Sequence, residues 1–125
     1  MEIDVKKVKI VIRALSENIQ DLRAAICEEG AGIIGKYSYC TTLIKTIGTF
    51  KPSKDANPYI GEREKIKFVE EEKLEVVCDI TIAKKVLNKI REVHLYEEPE
   101  IDIIPLIDEE SLWKIMENYK WSLEK

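Results

Sequence analysis

"GAGIIGKYSYCTT", residues 30–42, holds three of the chain's five glycines, with two tyrosines and a cysteine close behind. A phosphate-cradling loop sets its glycines ahead of a helix, where unpaired N–H groups face the anion. Here Ile19, Leu22, Ala25 and Ile26 recur at helical spacing upstream, so the glycines follow a helix, at the end where carbonyls point outward. Glycine adopts a left-handed helix stop without steric cost, and Gly30 is expected to be that stop. No Gly-Lys-Ser/Thr closes the stretch as a P-loop requires. Residues 36–47 then read as a strand, with Tyr37, Tyr39, Thr41, Leu43 and Lys45 alternating with Ser38, Cys40, Thr42 and Ile44.

Upstream, "KKVKIVIRAL" reads as a first strand, with Val8, Ile10 and Ile12 on one face. Ser16 is the expected cap of the helix that follows, with Glu17 favoured at its positive end. Downstream, residues 48–61 contain Pro52 and Pro58 between two glycines and read as a long connection between antiparallel strands. Connections of that length without their own structure are often functional. In "KIKFVEEEKLEVVCDI" alternation is interrupted by Glu70 to Glu72, which suggests a solvated bend or bulge in the next strand. A second helix spans about Thr81 to Val93, capped by Asp79 or Thr81, and buries Ala83, Val86, Leu87, Ile90 and Val93. Glu100 to Leu106 reads as a last strand, with Pro105 marking an edge or an end. Asp108 caps a final helix carrying Leu112, Ile115, Met116 and Tyr119.

The order strand, helix, strand, strand, helix, strand predicts an α+β, ferredoxin-like antiparallel sheet with both helices on one face. A single domain is expected over residues 1–125, its core at about 8–106 and its C-terminal helix at about 108–123. The other sheet face has no helix of that motif to cover it, yet Val11, Cys40, Ile44 and Ile104 are expected there. Either the final helix folds back over them or a neighbouring subunit does.

The hydrophobic fraction is 45% and the charged fraction 35%, a globular composition rather than a disordered or membrane one. A net charge of −4, with both signs interspersed, argues against nucleic acid as a partner. No apolar run approaches the ~18 residues that span a bilayer, so no membrane partner is expected. The N-terminus does not read as a signal peptide. Cys27, Cys40 and Cys78 lack CxxC spacing and are expected to be reduced, buried thiols of a cytoplasmic protein. Cys40 has no histidine near it in sequence. His94 with Glu97 and Glu98 forms the one cluster suited to a divalent metal such as zinc or copper. Alternatively, His94 finishes the second helix while the glutamates begin a turn. No pairing of a nucleophile with a general base is visible, and an enzyme is not expected.

"GAGIIGKYSYCT", "IGTFKPSKDANPYIGE" and "HLYEEPEIDIIPL" together closely resemble the domain inserted in Nif-three-like proteins, over about residues 8–106. That domain resembles the PII and CutA signalling proteins. The last stretch, followed by an acidic helix with Trp113, is similar to the C-terminal end of CutA. The resemblance implies a ferredoxin-like fold, a homotrimer, and a non-catalytic binding or regulatory role. A divalent-metal-binding protein of the CutA type is the alternative. It also points to the long loop as a contact for ligands or partners. There Lys51, Lys54 and Asn57 are placed to meet a small anionic ligand or a partner protein, and Phe50 and Tyr59 to pack on a ring. The competing reading has Phe50, Pro52, Pro58 and Tyr59 pinning the loop onto the neighbouring subunit. The flanking halves that carry the two-metal site of complete Nif-three-like proteins are not matched by these residues, and hydrolase activity is not expected to transfer. Leu95 replaces the first proline of the family's His-Pro-Tyr-Glu-Glu-Pro, which is expected to loosen that turn.

Overall fold

The computed structural model describes residues 3–118. The elements are β1 (Lys7–Leu15), α1 (Ser16–Glu28), β2 (Thr41–Phe50), β3 (Lys67–Asp79), a 3-10 turn at Ile80–Ile82, α2 (Ala83–Val93), β4 (Ile101–Leu106) and α3 (Glu109–Asn118). The strands pair antiparallel in the order β2-β3-β1-β4, the ferredoxin-like arrangement expected. Val8, Ile10 and Ile12 of β1 face Cys78, Val76 and Leu74 of β3 across the ladder, and the helices cover this face with Ile19, Leu22, Ile26, Val86 and Ile90. Period-2 and period-3.6 apolar patterns meet in one core.

The opening glycines stop the helix and turn the chain. The N–H of Gly30 donates to Cys27 at 3.1 Å and that of Ala31 to Ile26 at 3.1 Å, a Schellman stop with Gly30 at φ +105°. Gly32 donates to the Val77 carbonyl at 2.9 Å. Ile34 and Tyr37 exchange two 2.9 Å bonds around a turn with Gly35 at φ +58°. This small hairpin, together with Tyr39 at φ 57°, delays the second strand to Thr41 instead of residue 36. Cys40 therefore precedes the sheet.

Three other expectations change. Ser16 is the first residue of α1 and its side chain caps nothing; Leu15 occupies the cap position. β2 runs on to Phe50, so the long loop covers residues 51–66. β3 passes through Glu70 to Glu72 without bend or bulge, paired in unbroken register with β1 from Glu71 onward and with β2 throughout that run. Asp79 does cap the second helical segment, accepting from the Thr81 N–H at 3.0 Å.

β4 is an edge strand, in keeping with Pro105. Asp108 caps α3 through the Ser111 N–H at 2.7 Å. α3 buries none of its residues and is not the cover for the open face; Tyr119 lies outside the described residues. Val11, Ile44 and Ile104 do stand on that face, and Ile44 and Ile104 are exposed. Between them lie ion pairs: Lys9–Glu75 at 3.6 Å and Arg13–Asp102 at 3.8 Å across strands, and Lys73–Glu75 at 3.4 Å along β3. Among the described residues no helix is long and apolar enough to cross a membrane.

Candidate functional site

The connection from α2 to β4 is tied down residue by residue. His94 ends α2 and is buried. One ring nitrogen, Nε2, lies 2.8 Å from the Arg13 carbonyl, and the other, Nδ1, accepts the Tyr96 N–H at 3.1 Å. A carbonyl can only accept, so the ring is neutral with its proton on Nε2. Burial pushes its pKa down, against the opposing pull of Arg13 and Glu71. Buried Asn18 receives the Leu95 N–H at 3.2 Å on Oδ1 and gives its Nδ2 to the Val93 carbonyl at 3.4 Å. The proline of the resembled motif has no N–H, so Leu95 adds a tether where a loosened turn was expected.

Next along the chain, Tyr96 reaches across to β3. Its hydroxyl donates to Glu71 Oε2 at 2.5 Å. Glu71 is only 7% exposed, which corrects the reading of the acidic run as wholly solvated. Burial and this bond raise the Tyr96 pKa, keeping the phenol protonated. Gly48 lies beneath the carboxylate, where any Cβ would collide with Glu71.

The long loop closes over these groups. Phe50 packs on Tyr96 with ring centroids 6.3 Å apart. The Glu64 N–H donates to the Pro52 carbonyl at 2.6 Å, and Arg63 Nε to the Ala56 carbonyl at 2.6 Å. The Asn57 N–H donates to both carboxylate oxygens of Glu97, at 3.1 and 3.2 Å. Between loop and connection is a cleft of about 540 Å³, walled by Phe50, Pro52, Pro58, Tyr59 and Ile60 on the apolar side. Its charged groups are Arg13, Lys51, Glu71, Glu97, Glu98 and Glu100.

Two residue groups read separately in the sequence thus meet in one place. Phe50, Lys51 and Tyr59 from the loop line the cleft with Glu97 and Glu98 from the connection. Lys54 does not line it, and Asn57 touches Glu97 from outside the lining. Four carboxylates against two cations make the lining net negative, which opposes the small anion expected there. His94, Glu97 and Glu98 are not brought together as metal ligands: among the described residues no group of three or more His, Cys, Asp or Glu side chains is placed to hold an ion. Cys27 and Cys78 are buried, and burial raises both thiols. Cys40 is half-buried, and with both nitrogens of His94 engaged that ring is no base for it. Sequence reading missed Arg13, Gly48, Glu71 and Glu100 in this site. The glycine opposite an acidic run was the available signal.

No family model matches the chain. It is 41% identical over 101 residues to a GTP cyclohydrolase 1 type 2 homolog of Halalkalibacterium halodurans, covering 81% of this chain and 27% of that protein. The homolog of the same name from Bacillus subtilis is 39% identical over 98 residues, 78% of this chain and 26% of its own length. The chain therefore spans about a quarter of these curated relatives. Among solved structures, a Bacillus cereus protein related to NIF3 superposes with TM-score 0.72 at 29% identity, covering 82% of this chain and 26% of that one. The periplasmic divalent cation tolerance protein CutA from Archaeoglobus fulgidus superposes with TM-score 0.61 at 21% identity, covering 89% of this chain and 96% of that one, a likeness of fold alone. The chain is a relative of NIF3-type proteins over a domain-sized part of their length, built on the ferredoxin-like fold it shares with CutA.

Proposed function

We propose that this chain is a non-catalytic, oligomeric binding and regulatory module, on the pattern of the PII and CutA proteins it resembles. The observation that carries this reading is how the polar groups around the cleft are used. Both nitrogens of His94 are spent on backbone, the Tyr96 phenol is spent on Glu71, and Arg13 is paired with Glu100 at 3.0 Å. Groups held this way give a shaped, ordered wall rather than a poised acid or base. The cyclohydrolase name belongs to relatives of which this chain spans about a quarter, and it is not carried over.

The oligomeric part rests on the two sheet edges. Among the described residues β2 and β4 are both unpaired along their outer sides, and each presents exposed isoleucines, Ile44 and Ile47 on one and Ile103 and Ile104 on the other. Unpaired apolar edges invite strand addition. Joining β2 of one copy to β4 of the next is a head-to-tail contact, which makes a ring when the rotation between copies closes. A homotrimer is the ring proposed, with its open sheet faces turned inward. The divalent-cation alternative has no described ligand set behind it.

The test is light scattering on the purified chain, with a parallel incubation with GTP. Three copies of the 14.5 kDa chain and unchanged nucleotide are expected. A monomer at high concentration, or turnover of GTP that a cleft variant abolishes, overturns the proposal.

A further inference from the structure

Glu71 is the most unusual group in the cleft. Its residue is more than nine-tenths buried, and it lines the cavity. Oε2 takes the Tyr96 hydroxyl, whereas Oε1 has no hydrogen-bond donor among the described residues. Oε1 is also not sealed in: no buried side-chain oxygen lacks a partner among the described residues, so this atom keeps some access to the cavity. Oε1 sits against Gly48, which makes room for it, since a Cβ there would displace that oxygen. A carboxylate so far from solvent, with one neutral donor, is short of hydrogen bonds and of positive charge.

The rest of the lining agrees. Arg13 is paired with Glu100 and Asp102, which leaves Lys51 as the one other cation of the described lining against Glu71, Glu97 and Glu98. Glu97 and Glu98 have no ion-pair partner among the described residues. The lining also holds the rings of Phe50 and Tyr59 with Pro52 and Pro58. Aromatic faces attract a cation as well as an apolar body.

Resting on the reading of the cleft as a binding site, we infer that its ligand is a small organic cation. An ammonium or guanidinium group donates to Glu71 Oε1 and towards Glu98, and an apolar or aromatic body lies against Phe50, Pro58 and Tyr59. The volume of about 540 Å³ lies within the range of small-molecule pockets.

Three probes of one shape test this: phenethylamine, 2-phenylethanol and phenylacetate, with inorganic phosphate as a fourth. Binding is followed by calorimetry and by shifts of the Phe50, Tyr59 and Tyr96 ring signals in the full chain. The amine is expected to bind about tenfold more tightly than the alcohol, the worth of one charge-assisted bond. The carboxylate and phosphate are expected not to bind. Glu98→Gln, at an exposed position that leaves folding intact, is expected to narrow the amine-to-alcohol ratio at least about threefold, and Glu71→Gln to narrow it further. If phenylacetate or phosphate binds as tightly as the amine, or Glu98→Gln and Glu71→Gln both leave the ratio unchanged, the cation is wrong and the binding site stands. If no probe moves those ring signals, the cleft is not a small-molecule site and both readings fall.

Discussion

The hydroxyl of Tyr96 donates to the carboxylate of Glu71 at 2.5 Å, joining the connection after α2 to the middle strand pair of the sheet. They stand 25 positions apart in the chain, and the segment between them holds α2 and its buried stripe. The pair is a latch on the second half of the fold, and both residues also line the cleft.

Removing the donor alone should therefore cost more than an average hydrogen bond. Tyr96→Phe leaves a buried carboxylate short of its partner and is expected to destabilise by about 1–3 kcal/mol. Urea unfolding measures this. In a Tyr96→Phe, Glu71→Gln cycle the double variant should lose less than the two single losses together. Strict additivity would mean the bond contributes nothing.

Gly48 is the third member of that unit. Gly48→Ala places a methyl group where Glu71 now sits, and is expected to cost about 1–3 kcal/mol through overpacking. The same substitution should be milder in a Glu71→Ala background, because the colliding group is gone. Equal cost in both backgrounds would assign the glycine a backbone role instead.

Stability should fall with acid in a window set by His94, the chain's one histidine. Its folded pKa lies below the ordinary value of 6.5, so the unfolded chain takes up the proton first. The stabilisation is complete above 6.5 and is lost as pH falls through 6.5 towards the folded pKa. The slope can reach about 1.4 kcal/mol per pH unit. Unfolding titrations between pH 7.5 and about 5 should show this loss in the natural chain and not in His94→Gln. A flat profile in both proteins would show that the ring keeps its free-state pKa.

Much of this was legible from residues alone, and the gaps have physical causes. The glycine stretch could be read because a helix stop and a phosphate loop put glycine at opposite helix ends. Strand and helix order followed from apolar period. What escaped were groups whose meaning depends on a partner far away in sequence. Glu71 looks like its neighbours until Tyr96 and Gly48 are placed against it. Leu95 looks like damage to a motif until Asn18 is seen to use its N–H. The strand start at residue 36 failed for a local reason: alternation continues through Tyr37 to Cys40, but the Ile34–Tyr37 turn forces that segment off the sheet.

Leu95→Pro tests that last tether. It restores the residue the motif resemblance expects, yet removes the N–H that Asn18 Oδ1 accepts at 3.2 Å. With a buried amide left half-satisfied, a loss of about 1–3 kcal/mol is expected. In an Asn18→Ala background most of that loss should vanish. A Leu95→Pro chain as stable as the natural one would mean the tether is replaced by water.

The edge strands decide whether the chain works alone. Ile44 and Ile104 lie on the open face at the two opposite edges, among ion pairs that stay solvated in one copy. A lysine at either position leaves the core of Ile10, Ile12 and Leu74 untouched, so folding should change by no more than about 0.5 kcal/mol. Association should change far more, because in the proposed head-to-tail ring each copy contributes both edges and one substitution damages every contact. Ile104→Lys and Ile44→Lys are each expected to shift light-scattering mass from three chains to one at micromolar concentration. Exposed Leu112 on α3, which is not the cover for this face, makes Leu112→Lys the matched control, expected to keep the assembly. If the edge variants stay associated while Leu112→Lys dissociates, the assembly is built through the C-terminal helix and the ring of sheets is wrong.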